Sequence, residues 1–583
     1  RVFFSTEVFD ISWKLKKKAI ELLSKEEGAV RKDPGGRQSI CLIYPNSYSL
    51  GMANLGFQTA YHLFNSIDDC ACERAFLPDE GGIKEYLRTD TRLFSLESQR
   101  PLKSFDMLAF SLPFEEDYIN IPKLLGLAGI PVFSHERADG LPLVIAGGVA
   151  PSLNPEPLAG IVDLFIIGEG EGAIEEFFSF YRDMKTCGQM TAKNEMLKAL
   201  DSLPCVYIPS FYEFTYDGPT IKEIKVKNGA KKKVIASKNL DLENFPVPQS
   251  FIRTPYSEFK GAHLTEIERG CPRGCRFCAA GFLYLPPRWR EPDKVREALG
   301  PALREGGKAG IVGAAVSEYP WIKALLEHGI ESGSIMTLSS LRLDMLDAPF
   351  LRLLKDAGYR TVTVAPEAGS ERLRLVVNKT LSDDDILESA SLIADAGFTK
   401  LKLYLMLGLP TETDEDALAI ARLCLRLKAI MKKGALTLSI NQFIPKPCTP
   451  LQWQRLADTE DVNKRLALIK KALSGKGRFT VNAMTSSSAV FQAYLSRADR
   501  RASAFITEAA AKGMRKAVRE NKEFLCASVY RERTKDEPLP WDMIDHGVKK
   551  QYLWKEYQKG LKAEPTEPCH VGTCFRCGVC VRG

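Results

Sequence analysis

Three cysteines, Cys271, Cys275 and Cys278, stand at offsets of 4 and 3 in the stretch Glu268-Arg269-Gly270-Cys271-Pro272-Arg273-Gly274-Cys275-Arg276-Phe277-Cys278. Thiols this close cannot all point one way from a helix or a strand, so the stretch must be a loop. The preceding His263-Leu264-Thr265-Glu266-Ile267 alternates apolar and polar residues and predicts a strand that delivers it. Three thiolates on a four-iron cluster leave one iron without a protein ligand, open to a small molecule. The competing readings are buried apolar cysteines, or three of the four ligands of a zinc site.

The catalytic domain expected around this loop spans 260–480. Strands are predicted at 263–268, 309–316, 334–340, 360–365, 400–407 and 436–443, with helices such as Ser382–Ala396 and Thr413–Met431 between them. Six βα units with short connections predict an open parallel barrel, a partial (β/α)6, with its chemistry at the C-terminal strand ends. Those ends are polar. The second runs into Ser317-Glu318, the third into Ser339-Ser340-Leu341-Arg342, and the fourth into Glu367-Ala368-Gly369-Ser370-Glu371-Arg372. The fifth stops at Pro410 with hydroxyl caps for the next helix. The sixth ends in Lys446-Pro447-Cys448-Thr449-Pro450.

At 583 residues the chain is too long for one core. Residues 1–36 predict a helical segment over Ile11–Leu23, with Lys14 and Lys16–Lys18 on a solvated face. Residues 37–185 predict a doubly wound, Rossmann-like α/β domain, with near-continuous apolar strands at 39–45, 106–111, 143–148 and 163–171. Ligands bind beyond the carboxyl ends of such strands, where the turns 46–54, 111–115, 147–154 and 168–172 lie. Residues 186–259 read as a bridge, with 222–227 and 231–235 flanking Asn228-Gly229 as a hairpin. Its alternating lysines suit a solvated edge, with nucleic-acid contact as the sharper alternative. Residues 481–583 predict a helical C-terminal domain. It ends in Cys569, Cys574, Cys577 and Cys580, a complete ligand set whose compression favours a second 4Fe-4S cluster over zinc.

The triplet, with Phe277 before its last cysteine, and the strand ends in their order along the chain resemble the radical SAM superfamily. The resemblance implies that Cys271, Cys275 and Cys278 hold a 4Fe-4S cluster whose open iron binds S-adenosylmethionine. Electron injection then breaks the C5′–S bond, and a 5′-deoxyadenosyl radical abstracts hydrogen from an unactivated carbon. By the same resemblance Ser317 and Glu318 lie near the methionine amine, and Glu367, Ser370 and Arg372 near the carboxylate or ribose. The turns of the first domain resemble the cobalamin-binding domain of one radical SAM class, with Asn46, Ser111, Gly147, Gly148, Gly168 and Glu169 as the implied contacts. One departure stands out: the usual Asp-x-His-x-x-Gly loop is replaced by Pro45-Asn46-Ser47-Tyr48-Ser49-Leu50-Gly51. Either cobalamin binds without a protein histidine, or the domain binds something else. Cys448 stands where relatives are expected to carry His. It is a candidate catalytic thiol, with a pKa lowered by Lys446 or by a metal, or else a small half-buried filler in the space of an imidazole.

Three reactions compete on this machinery: cobalamin-assisted methylation, sulfur insertion at the expense of the C-terminal cluster, and oxidation or rearrangement with that cluster as a relay. An RNA- or peptide-binding adaptor around a degenerate barrel is the alternative from another class. The substrate is open among RNA, peptide and small molecule, and an electron donor such as flavodoxin or ferredoxin is implied. An apolar share of 45% and a charged share of 26% are those of an ordinary globular protein. No run of about 18 apolar residues predicts a transmembrane helix, and Arg1-Val2-Phe3-Phe4 carries no signal-peptide pattern, though a first residue other than Met implies a trimmed start. Fifteen cysteines, seven of them clustered, point to a reducing cytoplasm, and a net charge of +7 permits a polyanionic partner without demanding one.

Overall fold

Apolar strands in the N-terminal part pair as one sheet covered by helices. In the computed structural model, which describes residues 11–186, 192–227, 229–304, 306–339, 341–432 and 434–580, this sheet has six strands. They are β1 (Gln38–Tyr44), β2 (Cys70–Phe76), β3 (Met107–Ser111), β4 (Leu143–Gly147), β5 (Leu164–Ile166) and β6 (Val206–Tyr207), in the order β2-β1-β3-β4-β5-β6. The first five run parallel and β6 closes the edge antiparallel. The order reverses between β1 and β3, which opens a crevice beyond their carboxyl ends. Strand β2 is absent from the sequence expectation. Its Glu73-Arg74 pair interrupts the apolar run, yet the Arg74 guanidinium is wholly buried against Glu26 at 2.7 Å and Glu97 at 2.6 Å. Glu26 follows the helix Trp13–Leu23, whose Leu15, Ala19 and Leu23 enter the core of this sheet.

The segment after the sheet differs from the expected hairpin. β7 (Tyr212–Asp217) pairs antiparallel with β8 (Thr220–Val226) across Gly218-Pro219, so 222–227 turns to the preceding strand and not to 231–235. Gly229 is described and Asn228 lies outside the described residues. The next strand, β9 (Val234–Ile235), is drawn off to the C-terminal region.

The barrel begins at β10 (His263–Glu266), followed by a short antiparallel pair, β11 (Glu268–Arg269) and β12 (Arg288–Trp289). β13 (Lys308–Val312), β14 (Ile335–Leu338), β15 (Val362–Glu367), β16 (Lys400–Leu407), β17 (Ala435–Gln442) and β18 (Phe479–Ala483) continue it. β10-β13-β14 and β15-β16-β17-β18 form two parallel sheets, joined by a bridge between Leu341 and Val364. The arch therefore has a seventh strand beyond the six predicted, and a boundary at 480 falls inside β18. On β16 the buried positions alternate from Leu401 to Leu407, with the apolar side turned to the helices.

The region 481–583, expected as one helical unit, divides its packing between two cores. Helices Ser486–Arg497 and Ala502–Lys512 share the core of the N-terminal sheet, and Asn154 donates to the carbonyls of Ser496 and Ala498. β19 (Ile544–Asp545) pairs with β9. Helix Lys550–Leu561 and the cysteine-bearing tail instead join a third core with Phe282, Val376, Trp453 and Cys577 beside the catalytic loop. Among the described residues no helix is long and apolar enough to cross a membrane.

Candidate active site

The cysteine loop is shaped by two glycines. Gly270 has φ +82°, and a Cβ there would meet the Tyr284 carbonyl oxygen at 2.5 Å; Gly274 has φ +66°. Only glycine takes both conditions without strain. Within the loop Cys278 N–H donates to the Cys275 carbonyl at 3.0 Å. The three thiols lie close enough to act on one another electrostatically. Around Cys275 stand the cations Lys379, Arg342 and Arg273. Each is held by a carboxylate: Arg273 and Arg342 by Glu318 at 2.8 and 3.1 Å, Lys379 by Glu367 at 3.3 Å. Glu367 sits at φ +68° where the register of β15 against β16 slips. Such a ring of cations favours anionic ligands and an anionic cluster.

The expected site residues divide into two groups. Ser317 accepts from the backbone N–H of Arg342 at 3.2 Å, so Ser317, Glu318 and Glu367 belong to the ring around the thiols. Ser370 and Arg372 turn elsewhere. Ser370 caps helix Glu371–Val376 and donates to Asp416 at 2.7 Å, while Arg372 binds Asp416 and the hydroxyl and carbonyl of Thr411. By sequence Arg273 and Arg342 entered only as parts of the cysteine motif and of a polar strand end, and Lys379 did not enter at all. The signals available were an Arg inside the motif for Arg273 and an Arg just past a strand end for Arg342; Lys379 follows the helix Glu371–Val376 and carried no such signal.

A cavity of about 470 Å³ runs from the start of the cysteine loop into the N-terminal sheet. One end is Glu268, Arg269 and Gly270; the other passes between strand residues Leu42, Ala109 and Ile145 and helix residues Thr59, Ala60 and Leu63. Ser111, Gly147, Gly148, Gly168 and Glu169 line it, and no histidine does. Asn46 does not reach it, because its amide donates to Asp117 at 2.7 Å. Two glycines have structural reasons of their own: a Cβ on Gly148 would meet the Leu112 backbone at 2.7 Å, and one on Gly168 the Ser237 carbonyl at 2.2 Å. Glu169 is also committed. With Glu171 and Glu266 it encloses Arg269, and it binds Arg288 at 2.7 Å. The Gly168-Glu169-Gly170-Glu171 turn thus clamps the first domain to the strand that delivers the cysteines. Glu268, at the junction, is buried and accepts from Ala315 N–H; burial pushes its carboxyl up to about 7.

Cys448 is not an activated thiol in this arrangement. Lys446 is paired with Glu115 at 2.6 Å, so it does not lower the thiol. Burial pushes Cys448 up to about 12, its sulfur faces the Leu153 carbonyl at 3.8 Å, and it packs on the third core. The C-terminal cysteines lie beside the catalytic loop: Cys569 N–H donates to the Pro272 carbonyl at 2.7 Å. Cys574, Cys577 and Cys580 all lie within electrostatic reach of Cys569. Among the described residues no three His, Cys, Asp or Glu side chains converge tightly enough for a single metal ion.

Residues 56–209 match the family model described as radical SAM proteins, N-terminal, and residues 265–424 that of the radical SAM superfamily. An uncharacterized protein of Methanocaldococcus jannaschii is 30% identical over 476 residues, 80% of this chain and 90% of that protein. Among solved structures, the radical S-adenosylmethionine methyltransferase TsrM from Kitasatospora setae, with cobalamin and a [4Fe-4S] cluster bound, aligns at 13% identity. That alignment covers 83% of this chain and 100% of that one, with a TM-score of 0.48. The cobalamin-dependent S-adenosylmethionine radical enzyme OxsB, with aqua-cobalamin and S-adenosylmethionine bound, aligns at 13% identity over 90% and 79% of the two chains, with a TM-score of 0.46. The chain belongs to the radical SAM superfamily and is an enzyme of the kind that works with a 4Fe-4S cluster and S-adenosylmethionine.

Proposed function

We propose that the chain is a cobalamin-assisted radical SAM methyltransferase acting on an unactivated carbon, with Cys271, Cys275 and Cys278 as the ligands of its catalytic cluster. The residues fit that cluster: three thiols on one rigid loop, faced by Arg273, Arg342 and Lys379. The observation that carries the reading is the cavity, because it joins the catalytic loop to an apolar slot between the N-terminal sheet and helix Leu55–Ser66. At about 470 Å³ it lies within the range of small-molecule sites, and its lining residues Ser111, Gly147, Gly148, Gly168 and Glu169 would hold part of the cobalamin. When bound, the cluster supplies the electron that cleaves S-adenosylmethionine, and cobalamin carries the methyl group.

The chain's own residues have distinct tasks. Glu318 and Glu367 hold the three cations in place, leaving them to orient the carboxylate of the methionine group. The Glu169–Arg269–Glu171 clamp keeps the slot in register with the loop. Glu268, its carboxyl pushed up to about 7 by burial, can take up or release a proton around neutral pH at the wall between the two halves. The barrel and the first domain together exclude water from the radical. A reducing cytoplasm would suit low-potential thiol and cluster chemistry, and the fourteen described cysteines, all free, support that reading. A substrate of RNA, peptide or small-molecule class and a ferredoxin- or flavodoxin-type donor complete the reaction.

The test is titration of the anaerobically reconstituted protein with hydroxocobalamin. Binding at micromolar concentration is expected, with a spectrum unchanged by replacing any of the six histidines. Absence of binding at that concentration overturns the methyl-transfer reading while leaving the family membership in place.

A further inference from the structure

The four C-terminal cysteines sit on a tail that is fastened to the catalytic loop at three points. Cys569 N–H donates to the carbonyl of Pro272, the residue next to Cys271, at 2.7 Å. Asn378 is a clip between the two segments: its amide donates to the carbonyls of Arg273, Gly274 and Thr566 at 3.2, 3.2 and 3.1 Å, and its oxygen accepts from Thr566 N–H at 2.8 Å. The guanidinium of Arg276, between Cys275 and Cys278, is fully buried and binds Glu556, the Glu564 carbonyl and Thr566.

The knot has an inner and an outer side. Cys577 is buried in the third core, while His570, Val571, Gly572 and Thr573 are exposed. Its thiols are distinct from the catalytic set, and the slot and the ring of cations make no use of them. The knot is thus open to solvent on one side and hydrogen-bonded to the catalytic loop on the other, the layout that a relay would need.

We propose that Cys569, Cys574, Cys577 and Cys580 hold a second iron–sulfur cluster and form the port through which electrons reach the catalytic cluster, by way of the Cys569 N–H···O=C Pro272 hydrogen bond. This rests on Cys271, Cys275 and Cys278 being the catalytic ligands, and not on methyl transfer. A low-potential one-electron donor protein of the ferredoxin class reduces the outer centre. One electron then passes inward: the outer centre is oxidised by one unit, the catalytic one is reduced by one unit, no bond forms or breaks and no proton moves. The path between the two sulfurs of Cys569 and Cys271 is covalent except for that one hydrogen bond, which keeps electronic coupling high.

The experiment uses the anaerobically reconstituted full chain, reduced in parallel by dithionite and by reduced ferredoxin. The reduction is followed by freeze-quench paramagnetic resonance, which needs no turnover. Wild-type protein is expected to hold about eight irons, twice a single 4Fe-4S centre, and to show spin–spin broadening when both centres are reduced. In Cys574→Ser/Cys577→Ser the broadening disappears, and ferredoxin-driven reduction of the catalytic cluster slows at least tenfold relative to dithionite-driven reduction. Equal ferredoxin-driven rates in the two proteins overturn the proposal, as does wild-type protein with four irons and one zinc. If the double variant loses both centres, wild-type protein decides alone. Broadening, with the outer centre reduced first by ferredoxin, supports the port; two magnetically isolated centres reduced independently overturn it. Failure of S-adenosylmethionine cleavage with either reductant would instead count against the catalytic reading, and the reduction rates remain measurable.

Discussion

Arg276 offers the sharpest mechanical test of how the catalytic loop is held. Its guanidinium is fully buried and donates to the carbonyls of Leu375 and Val376 at 2.8 and 3.2 Å, to Glu564 at 2.7 Å, and to the Glu556 carboxylate at 3.2 and 3.3 Å. Glu556 is itself only 4% exposed. Arg276→Ala therefore strands a buried carboxylate and several carbonyls. Removing one partner of a buried pair costs about 3–5 kcal/mol, whereas Arg276→Met/Glu556→Leu, which removes both charges at similar volume, is expected to recover most of that loss. For a unit the size of the barrel, each kcal/mol corresponds to roughly 2–4 °C. The single variant should lower the melting transition of the iron-loaded protein by about 6–20 °C and speed iron loss to a chelator. The double variant should restore both. An Arg276→Ala protein that melts within about 2 °C of wild type and keeps its iron equally long would refute the claim that this clasp holds the loop.

Other outcomes follow from the same geometry. Glu268→Gln should flatten the pH dependence of stability. With the carboxyl at about 7 in the fold against an ordinary 4.5, the native state binds the extra proton between those values, so stability falls as pH rises through that window, by about 3 kcal/mol in total; an unchanged profile in the variant contradicts the burial argument. Glu169→Gln should lower the melting temperature and weaken cobalamin binding by about tenfold, or ~1.4 kcal/mol, with iron content unchanged, because it loosens the clamp on Arg269 and Arg288. Cys448→Ser should retain S-adenosylmethionine cleavage and product at a stability cost of about 1–3 kcal/mol for a buried hydroxyl; loss of product with cleavage intact would restore a chemical role to the thiol.

The cysteine loop was legible because spacing alone dictates that three thiols converge from a loop, and β16 and β17 because their alternation is unbroken. What escaped was decided by partners distant in sequence. Glu73-Arg74 looks like a loop until Glu26 and Glu97 bury it. Val234-Ile235 looks like the second arm of a lysine-rich hairpin until Ile544 recruits it. Glu169 looks like a cofactor contact until Arg269 and Arg288, about a hundred residues on, take its carboxylate. Lys446 seemed poised beside Cys448, yet Glu115 from the first domain claims it. In each case local pattern named the residue type correctly and tertiary contact assigned its role.

The most direct measurement is 5′-deoxyadenosine formed from S-adenosylmethionine by anaerobically reconstituted, dithionite-reduced protein, compared with Cys271→Ala/Cys275→Ala/Cys278→Ala. Wild-type protein is expected to release it. The triple variant is expected to lack about four irons, one 4Fe-4S centre, and to form none, while the C-terminal cysteines keep theirs. Undiminished 5′-deoxyadenosine from the triple variant would contradict the assignment of these three thiols to the catalytic cluster.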